Sequence, residues 1–596
     1  MAEIQVALNV WGTIHHTGYP LFAILGNLFT LPLRALGVEP ATAASLVATA
    51  WGAALLGGFA LLVWRLTGRV ALAAISAALL GTARSIWLHH VIAEVYSMSL
   101  AITALLLLVA LWPAPWTGAW SARRRLLWLA LLGGIGVAHH RAVAFVAPGL
   151  FLAIGPALWR ERPPWRRTAL QAIGLAALGF LPYLYLPLRA WQNAAWVYGE
   201  PGTPRGLWVE FSGQEADRLV KLPADAGELA DNLASVWRIL VHELSLPGLL
   251  AGLACLLLAI TVAPQRRAAR IVALGAAGPT LFAALYHTAV LPQAVLMPTT
   301  LALVFAVAIT ADWLIARRPR AAVLAPLALA LGAAGLAGWH YGTIHMLTGE
   351  RSGLEVIARL ERLPREGKPA LLFPWGPRYA AASYARLVTG EYADLRMVDH
   401  KADYRALLAE GYQLYTEPET FYTYPPSWSN AYGAPSGWWQ ERLGALSVTS
   451  AAPGYVRLLT APDRAAPGES LGEPLVYGIT RRAAWLTCDA AHLYLHVIWS
   501  AERRPEGDPS IFVHLTGGAP APNPPNADSR HPVYGLYPFA QMSPRQLVRD
   551  DFTLPRLPGM TQVRFGLYEQ TGAGFSNYGE AALPVAGCQP VAWARP

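Results

Sequence analysis

Charged residues are scarce in this chain. Only 14% of the 596 residues are Asp, Glu, Lys or Arg, whereas 54% are hydrophobic. A soluble globular protein carries about 25% charged residues. The shortage is concentrated in roughly the first 345 residues, where apolar runs of about 17–24 residues recur, a length that spans a bilayer. The composition predicts an integral membrane protein with the lipid bilayer as partner. No DNA- or RNA-binding motif accompanies the net charge of +9, so we expect no nucleic-acid partner.

Cysteine is also rare, which limits both metal sites and disulfides. The three Cys residues lack the spacing of a zinc site. We therefore expect no cofactor, although the sequence leaves dependence on a divalent metal open. Cys255 lies in an apolar run and is expected in the core. Cys488 and Cys588 flank a C-terminal region and are able to form a disulfide if that region lies outside the cell.

The apolar runs predict about ten membrane spans after an N-terminus that has no cleavable signal peptide. Residues 19–36 are instead predicted to form an interfacial helix, because Pro32 and Arg34 interrupt them. The predicted spans are residues 41–64, 70–86, 97–112, 126–139, 142–158, 168–187, 247–263, 271–287, 295–315 and 321–339.

Arginine placement predicts the orientation of these spans. Fifteen Arg residues fall on one side, between Arg65 and Arg320, whereas the short segments of the other side hold only Arg34, Arg84 and Arg141. Because cytoplasmic loops are rich in Lys and Arg, the first side is expected in the cytoplasm. The segment 188–246 and everything after about residue 345 are then expected outside an inner (plasma) membrane.

The N-terminus is also expected outside, yet no apolar span precedes Met1-Ala2-Glu3. We therefore expect that one N-terminal helix is missing from this sequence.

Four polar clusters fall at the outer ends of the spans, on the side opposite the cationic loops. The clusters are Glu3 with His15-His16, His89-His90 with Glu94-Val95-Tyr96, His139-His140-Arg141, and Arg189 after an aromatic run. Polar groups at a membrane edge often snorkel to headgroups or form an aromatic belt. Four clusters on one side favour a shared site in which Arg and His bind a lipid-linked phosphate and a carboxylate acts as base. Metal binding is the rival, but adjacent His pairs do not share one helix face.

The same residues resemble glycosyltransferase family 117, whose members include protein O-mannosyltransferases and which belongs to the C-type membrane glycosyltransferases. The resemblance covers roughly residues 1–340. The matching motifs are Glu3 with His16-Thr17-Gly18-Tyr19-Pro20-Leu21, Ala93-Glu94-Val95-Tyr96, Gly136-Val137-Ala138-His139-His140-Arg141, and Tyr185-Leu186-Pro187-Leu188-Arg189 followed by Tyr198-Gly199-Glu200-Pro201.

The resemblance implies transfer of a mannose-like sugar from a polyprenyl-phosphate donor to a hydroxyl of a protein or glycan acceptor on the extracytoplasmic face. Relatives carry an Asp-x-x-Glu motif, of which Glu3 matches the Glu, while the Asp, the expected base, falls before Met1. The predicted catalytic residues are Glu3, His16 and Glu94. The predicted donor-binding residues are His15, Tyr19, His89, His90, Tyr96, His139, His140, Arg141 and Arg189.

Two smaller domains are predicted to follow the membrane domain of residues 1–345. Strands alternate with helices over residues 350–465, which indicates a small α/β layer with a parallel sheet. Residues 466–596 alternate apolar and polar positions in short runs, which indicates a β-sandwich or jelly roll. Its aromatic residues are expected in the core, although sugar stacking is the alternative.

Two other functions fit part of these features. A transporter or flippase of lipid-linked sugars would also line a cavity with His and Arg, but such proteins tend to show repeated halves and broken helices. A non-catalytic glycan-binding membrane protein is the third possibility, because the expected catalytic Asp is absent from this sequence.

Overall fold

The computed structural model describes residues 2–112, 120–213, 220–285, 287–288, 292–399, 401–421, 447–517, 525–572 and 574–591. It divides into two compact units, residues 1–350 and residues 351–596. The first unit is helical, as its apolar composition predicts, and the second combines an α/β sheet with two further β-sheets.

The helices of the first unit follow the predicted apolar runs. They are Ala2–Ala7, Pro20–Ala35, Pro40–Thr67, Val70–Gly81, Arg84–Val91, Tyr96–Leu111, Ala122–His139, Ala147–Glu161, Trp165–Phe180, Tyr185–Trp191, Pro204–Ser212, Ala226–Leu244, Leu246–Thr261, Arg266–Leu285, Pro292–Val295, Met297–Arg317 and Ala321–Thr348. Short 3-10 helices at Arg141–Val146 and Leu181–Leu184 join neighbouring helices. Strand β1 Val220–Lys221 pairs with strand β2 His287–Thr288 in a two-stranded sheet.

Within the described residues, six helical segments are long and apolar enough to cross a membrane, and two bent helix pairs bring the number to eight at most. The six segments are Pro40–Thr67, Arg141–Glu161, Trp165–Trp191, Arg266–Leu285, Met297–Arg317 and Ala321–Arg362. They coincide with six of the ten predicted spans, so this is a multi-pass membrane protein. The predicted spans 97–112 and 126–139 are also helical, although Tyr96–Leu111 has only 16 residues.

The prediction of one continuous span over residues 70–86 is wrong. Helix Val70–Gly81 ends there, and Arg84–Val91 leaves at an angle of 79°. A helix break in a membrane needs partners for its freed backbone groups. Glu243 accepts a hydrogen bond from the Ser85 N–H at 2.9 Å, and a ring nitrogen of His340 lies 2.8 Å from the Thr82 carbonyl oxygen. A similar bend of 101° separates Ala226–Leu244 from Leu246–Thr261, the helix of the predicted span 247–263.

The second unit begins with helix Ser352–Arg359 and a five-stranded mixed sheet. Its strands are β3 Lys368–Leu372, β4 Arg396–Val398, β5 Tyr412–Thr416, β6 Ser447–Ala452 and β7 Tyr455–Leu459, in the order β4-β3-β5-β7-β6. β3 is parallel to β4 and β5, as the alternation with helices Pro377–Tyr384 and Tyr404–Ala409 predicts. The antiparallel β6–β7 hairpin beside β5 was not predicted, because β6 begins outside the segments whose alternation indicated strands.

Two further sheets pack over one buried core. Their strands are β8 Glu473–Pro474, β9 Ile479–Cys488, β10 His492–Ala501, β11 Ser510–Gly517, β12 Val548–Pro555, β13 Met560–Thr571, β14 Gly574–Pro584 and β15 Gln589–Pro590. One sheet has the order β12-β10-β9-β15 with β8 paired to β9, and the other has the order β11-β13-β14. Core residues such as Trp499 and Phe565 come from both sheets, so the predicted sandwich is observed. Its boundary with the α/β part at residues 465–466 stays a prediction.

Cys488 and Cys588 form the disulfide that their positions allowed. The bond ties the end of β9 to the segment just before β15, and it closes a loop of 100 residues. A cross-link over such a long loop removes much of the conformational freedom of the unfolded chain. The bond therefore stabilises the sandwich mainly through the unfolded state.

We predict that Cys588→Ser destabilises the second unit by about 4.7 kcal/mol, the loop-closure value for this length. Urea unfolding of the purified protein, followed by near-ultraviolet circular dichroism without reductant, measures the change. Cys255→Ser is the control, because Cys255 is a free thiol of the membrane unit. Equal unfolding midpoints for the two variants would contradict the prediction.

Asp550 is a buried carboxyl group in the centre of the sandwich. It accepts hydrogen bonds from the Val533 N–H at 2.8 Å and from the Trp499 indole N–H at 3.3 Å. Burial raises the pKa of Asp550 from its ordinary value of 3.8 to about 8. The folded state therefore holds a proton that the unfolded state releases, and this contribution to stability is lost as the pH rises from about 4 to about 8.

We predict that Asp550→Asn removes this part of the pH dependence, because the amide does not ionise. The free energy of unfolding of the wild type should fall more steeply between pH 5 and pH 8 than that of the variant. Urea titrations at several pH values measure both slopes. Asp463→Asn, at an exposed position, should keep the wild-type slope; parallel slopes for all three proteins would refute the assignment.

Candidate functional site

The site is built around the segment of residues 8–19, here called the first loop, which links two helices. Three side chains of helix Pro20–Ala35 hold its first half. The Thr30 hydroxyl donates to the Leu8 carbonyl at 2.7 Å, and the Arg34 guanidinium donates to the Asn9 carbonyl at 3.1 Å. Asn27 accepts from the Trp11 N–H at 2.9 Å. Each bond satisfies a backbone group that has no helical partner, so the loop has one defined path.

A second group of donors comes from the segment around residues 183–189. The Tyr183 hydroxyl donates to the Thr17 carbonyl at 3.1 Å, the Tyr185 hydroxyl to the Gly12 carbonyl at 3.1 Å, and Arg189 Nε to the Trp11 carbonyl at 2.7 Å. Gly18 has a φ of +84°, and a Cβ atom there would lie 2.4 Å from a Leu186 methyl carbon. Glycine is therefore required at this position.

Histidine and tyrosine rings from four segments meet beside the first loop. This group, the ring cluster, consists of His15, His16, Tyr19, His89, Tyr96, His139, His140 and Tyr198. The Tyr19 ring is central, with centroid distances of 5.7 Å to His15, 5.8 Å to His139 and 5.7 Å to His140. Tyr96 lies 5.8 Å from His140 and 5.0 Å from His89. Residues far apart in the sequence thus form one polar aromatic surface.

Both carboxylate oxygens of Glu3 contact His15. One carboxylate oxygen accepts the His15 backbone N–H at 2.7 Å, and the other lies 2.7 Å from Nδ1 of the same residue. Both oxygens are thereby used to orient the imidazole. The arrangement leaves Nε2 of His15 directed away from Glu3, and the half-exposed ring is able to meet a ligand.

His16 forms a buried pair with Glu210. Its Nδ1 lies 3.0 Å from the Glu210 carboxylate, and the two side chains are only 8% and 3% exposed. On the opposite side of the ring, Nε2 lies 3.3 Å from the Tyr198 hydroxyl. A carboxylate that holds one imidazole nitrogen while the other faces a hydroxyl is the arrangement by which proteins orient a histidine base.

Sequence reasoning missed Glu210. It is the single acid of helix Pro204–Ser212, PRGLWVEFS, and lies between apolar residues. An isolated carboxylate in an apolar stretch near a membrane is a signal for a functional group, and that signal was available in the sequence. Its partner was not, because nothing in the spacing of 194 positions between His16 and Glu210 indicates contact.

The hydrogen bonds of the adjacent His139 and His140 differ. His139 is fully buried, and its Nε2 donates to the Val95 carbonyl at 3.2 Å. His140 Nδ1 accepts the Ala142 N–H at 3.1 Å, so a neutral His140 ring carries its proton on Nε2. Arg141 donates to the Ser212 carbonyl, and its guanidinium packs against Gly213. His140 and the exposed Arg141 are therefore the better placed of these three to contact a ligand.

Glu94 lies close enough to His15, Tyr19 and Tyr96 to interact with each of them electrostatically. Two of the predicted residues stand apart from the ring cluster. The buried His90 ring packs against Gly52 of helix Pro40–Thr67. Arg189 is bound to the first loop and to the Gln192 side chain at 2.6 Å.

The chemistry available at the ring cluster is acid–base and electrostatic. It combines carboxylates, imidazoles, phenols and one exposed guanidinium on a surface between helices, the combination at which enzymes place perturbed groups. In the part of the chain that the structure describes, no group of three His, Cys, Asp or Glu residues is arranged to hold a metal ion.

We predict that Glu210→Ala destabilises the first unit by about 3 kcal/mol, because it leaves a buried imidazole without its charged partner. The double variant with His16→Ala should lose less than the sum of the two single variants. Denaturation in detergent, followed by tryptophan fluorescence, measures the free energies. Glu200→Ala, at an exposed position of the same region, is the control; strictly additive losses for the pair would count against the interaction.

Comparison with known proteins locates similarity in the N-terminal part of the chain. A family model described as the protein O-mannosyl-transferase TMEM260 N-terminal domain matches residues 1–160. Protein O-mannosyl-transferase TMEM260 of Mus musculus is 26% identical over 214 residues, which cover 36% of this chain and 30% of that protein. The match therefore spans less than a third of that relative's length.

Two solved structures also align with the chain. They are crystal structures of ArnT from Cupriavidus metallidurans, one bound to undecaprenyl phosphate and one in the apo state, with TM-scores of 0.45 and 0.43 and identities of 14% and 13%. Each alignment covers 76% of this chain and 92% of the other. Scores this low carry no argument about function. The sequence comparisons show that residues 1–160 are similar to the protein O-mannosyl-transferase TMEM260 N-terminal domain, which confirms the resemblance expected from the motifs.

Proposed function

We propose that this chain is an integral-membrane glycosyltransferase that moves a mannose-like sugar from a polyprenyl-phosphate donor to an acceptor hydroxyl. The observation that carries the proposal is the ring cluster, in which acid, imidazole and phenol groups from four segments meet beside the first loop. The name of the mouse relative and of the matching family model supports the reaction class. The acceptor is proposed to be a protein or a glycan.

His16 is the proposed general base. The Glu210 carboxylate lies 3.0 Å from its Nδ1, and Nε2 is proposed to exchange its contact with Tyr198 for the proton of the acceptor hydroxyl. Glu3 is less suited to this step, because both of its oxygens bind His15. Imidazole is also a suitable general base near neutral pH. Glu3 is therefore proposed to position His15.

The acceptor oxygen is then proposed to attack C1 of the sugar, the bond between C1 and the phosphate oxygen breaks, and the polyprenyl phosphate leaves with the electron pair. Arg141 and the Nε2 proton of His140 are proposed to stabilise the charge that develops on the leaving phosphate. Glu94, Tyr19 and Tyr96 are proposed to hold the sugar hydroxyls, because their polar ends lie together.

The proposed reaction takes place on the extracytoplasmic face of an inner membrane. The distribution of Arg residues supports this orientation. The disulfide in the second unit supports an oxidising location for the C-terminal domains.

The test is transfer of label from a radiolabelled polyprenyl-phosphate mannose to acid-precipitable or glycan products in membranes that contain the full protein. We predict that His16→Gln lowers the transfer rate at least about 100-fold, the lower range for loss of a general base. His345→Gln is the matched control, because His345 is exposed and its ring stacks on Tyr341. Undiminished transfer by the His16 variant would remove His16 from the mechanism. No label above membranes that lack the protein would reject the proposed function.

A flippase of lipid-linked sugars is the second candidate, because the two bent helix pairs are a feature of transporters. A flippase moves the intact donor across the bilayer and breaks no glycosidic bond. The same assay separates the functions, since only a transferase produces labelled product that remains after the lipid has been extracted.

A further inference from the structure

A cavity of about 190 Å³ lies beside the two helix bends of the first unit, away from the ring cluster. Its polar lining consists of Arg84, Ser235, Arg238, His242, Glu243 and Gln293. Arg84 belongs to the short helix Arg84–Val91, and four of the others belong to helix Ala226–Leu244. No residue of the ring cluster lines this cavity.

The walls of the cavity are fixed by buried polar contacts. Glu243 accepts hydrogen bonds from both the backbone N–H and the hydroxyl of Ser85. The two ring nitrogens of His340 lie 2.8 Å from the Thr82 carbonyl oxygen and 2.9 Å from the His242 carbonyl oxygen. These contacts join the two bends through a third helix, Ala321–Thr348. These contacts fix the shape of the cavity, as is usual for binding sites.

The charges at the cavity favour an anion. Within the described residues, the Arg84 guanidinium makes no hydrogen bond or ion pair within 4 Å. It interacts electrostatically with Glu243, whose oxygens accept hydrogen bonds from Ser85. In the same part of the chain, Arg238 donates only to the Ala234 carbonyl of its own helix, at 3.3 Å. Two guanidinium groups and one carboxylate thus line the cavity, and most of the guanidinium N–H groups keep no partner among the described residues.

Three other cations on the same predicted side of the membrane differ in this respect. Arg34 binds the Asn9 carbonyl, and Arg141 binds the Ser212 carbonyl. Arg189, from the long segment after the sixth predicted span, binds the Trp11 carbonyl. A guanidinium that keeps unused N–H donors at a cavity is able to bind an anion there. Arg84 is therefore the cation of this group whose position a ligand explains best.

We propose that this cavity is a second site of the chain, which binds a phosphate group. The planar donors of Arg84 and Arg238 suit two phosphate oxygens, and the Gln293 amide and the Ser235 hydroxyl supply further donors. A volume of 190 Å³ is smaller than the ~300 Å³ at the lower end for drug-sized ligands, so the cavity fits a headgroup and not a whole lipid. The phosphate is that of a lipid headgroup or a free phosphate, and the test separates the two.

The experiment measures phosphate binding by the full-length protein in nanodiscs, without any transfer reaction. In one arm, inorganic phosphate is titrated calorimetrically into protein in phosphatidylcholine nanodiscs. In the other arm, phosphatidic acid is titrated into the same discs, and the fraction bound to the protein is measured by native mass spectrometry. Saturation in the first arm identifies a free phosphate as ligand, and saturation in the second arm alone identifies a lipid headgroup.

We predict that Arg84→Gln and Arg238→Gln each weaken the binding about tenfold, the loss expected for one charged hydrogen bond. Arg160→Gln is the matched control, because Arg160 is likewise exposed and donates to the carbonyl of its own helix one turn earlier, at 3.2 Å. Arg238 is exposed, and the hydrogen bond that it donates within the described residues is to its own helix, so its variant is expected to fold even if the Arg84 variant does not.

Binding that is weakened by both cavity variants and kept by Arg160→Gln supports the site. An absence of saturable binding in both arms would overturn the proposal, and so would equal affinities for Arg238→Gln, Arg160→Gln and the wild type. Neither result depends on sugar transfer, so failure of this proposal is distinguishable from failure of the proposed function.

Discussion

The site depends on one constraint, the need of an irregular backbone next to a membrane to satisfy its carbonyl groups. The first loop has no helical partner for its carbonyls, and five side chains from two regions supply the donors. Thr30 and Arg34 bind its beginning, whereas Tyr183, Tyr185 and Arg189 bind the rest. An unpaired group there would cost several kcal/mol in an apolar environment. The path of the loop is thereby determined, and with it the positions of His15, His16 and Tyr19.

This constraint also assigns a role to residues that look like ligand-binding groups. Arg189 follows an aromatic run in a family-like motif, and from the sequence it is indistinguishable from a phosphate-binding cation. In the structure it binds a backbone carbonyl and Gln192. A guanidinium has five N–H donors, so Arg189 retains donors for a ligand, but its position is already explained by the loop. The same reasoning separates Arg189, which supports the loop, from Arg84, whose guanidinium makes no hydrogen bond within the described residues and interacts with Glu243 only electrostatically.

Much of the fold could be predicted from the sequence, because burial in lipid requires long apolar runs and half-buried strands require alternation. Nine of the ten predicted spans coincide with helical segments, and the strands around residues 370, 397 and 414 were located as well. The polar residues Thr82, Arg84 and Ser85 interrupt the apolar run after Gly81, but they do not define a bend, because the partners that satisfy it, Glu243 and His340, lie far away in the sequence. Hydropathy reports where a segment is buried but not where its axis turns.

The candidate site shows the same division. Polar clusters at span ends were visible, because charge is rare in their surroundings, and a common side for them followed from the distribution of Arg. The ring contacts around Tyr19 agree with that grouping. The pair of His16 and Glu210 was not predictable, since a contact over such a separation is set by the packing of helix Pro204–Ser212 and by no local pattern.

The short helix Arg84–Val91 connects the two polar regions of the first unit. Its first residue lines the cavity, while His89, just over one turn later, contacts Tyr96 of the ring cluster. The helix is held at its start by Glu243, and the Ser97 hydroxyl donates to the His89 carbonyl near its end. The cavity and the ring cluster are therefore joined by one helix of eight residues. A ligand that moved this whole helix would displace Arg84 and His89 together.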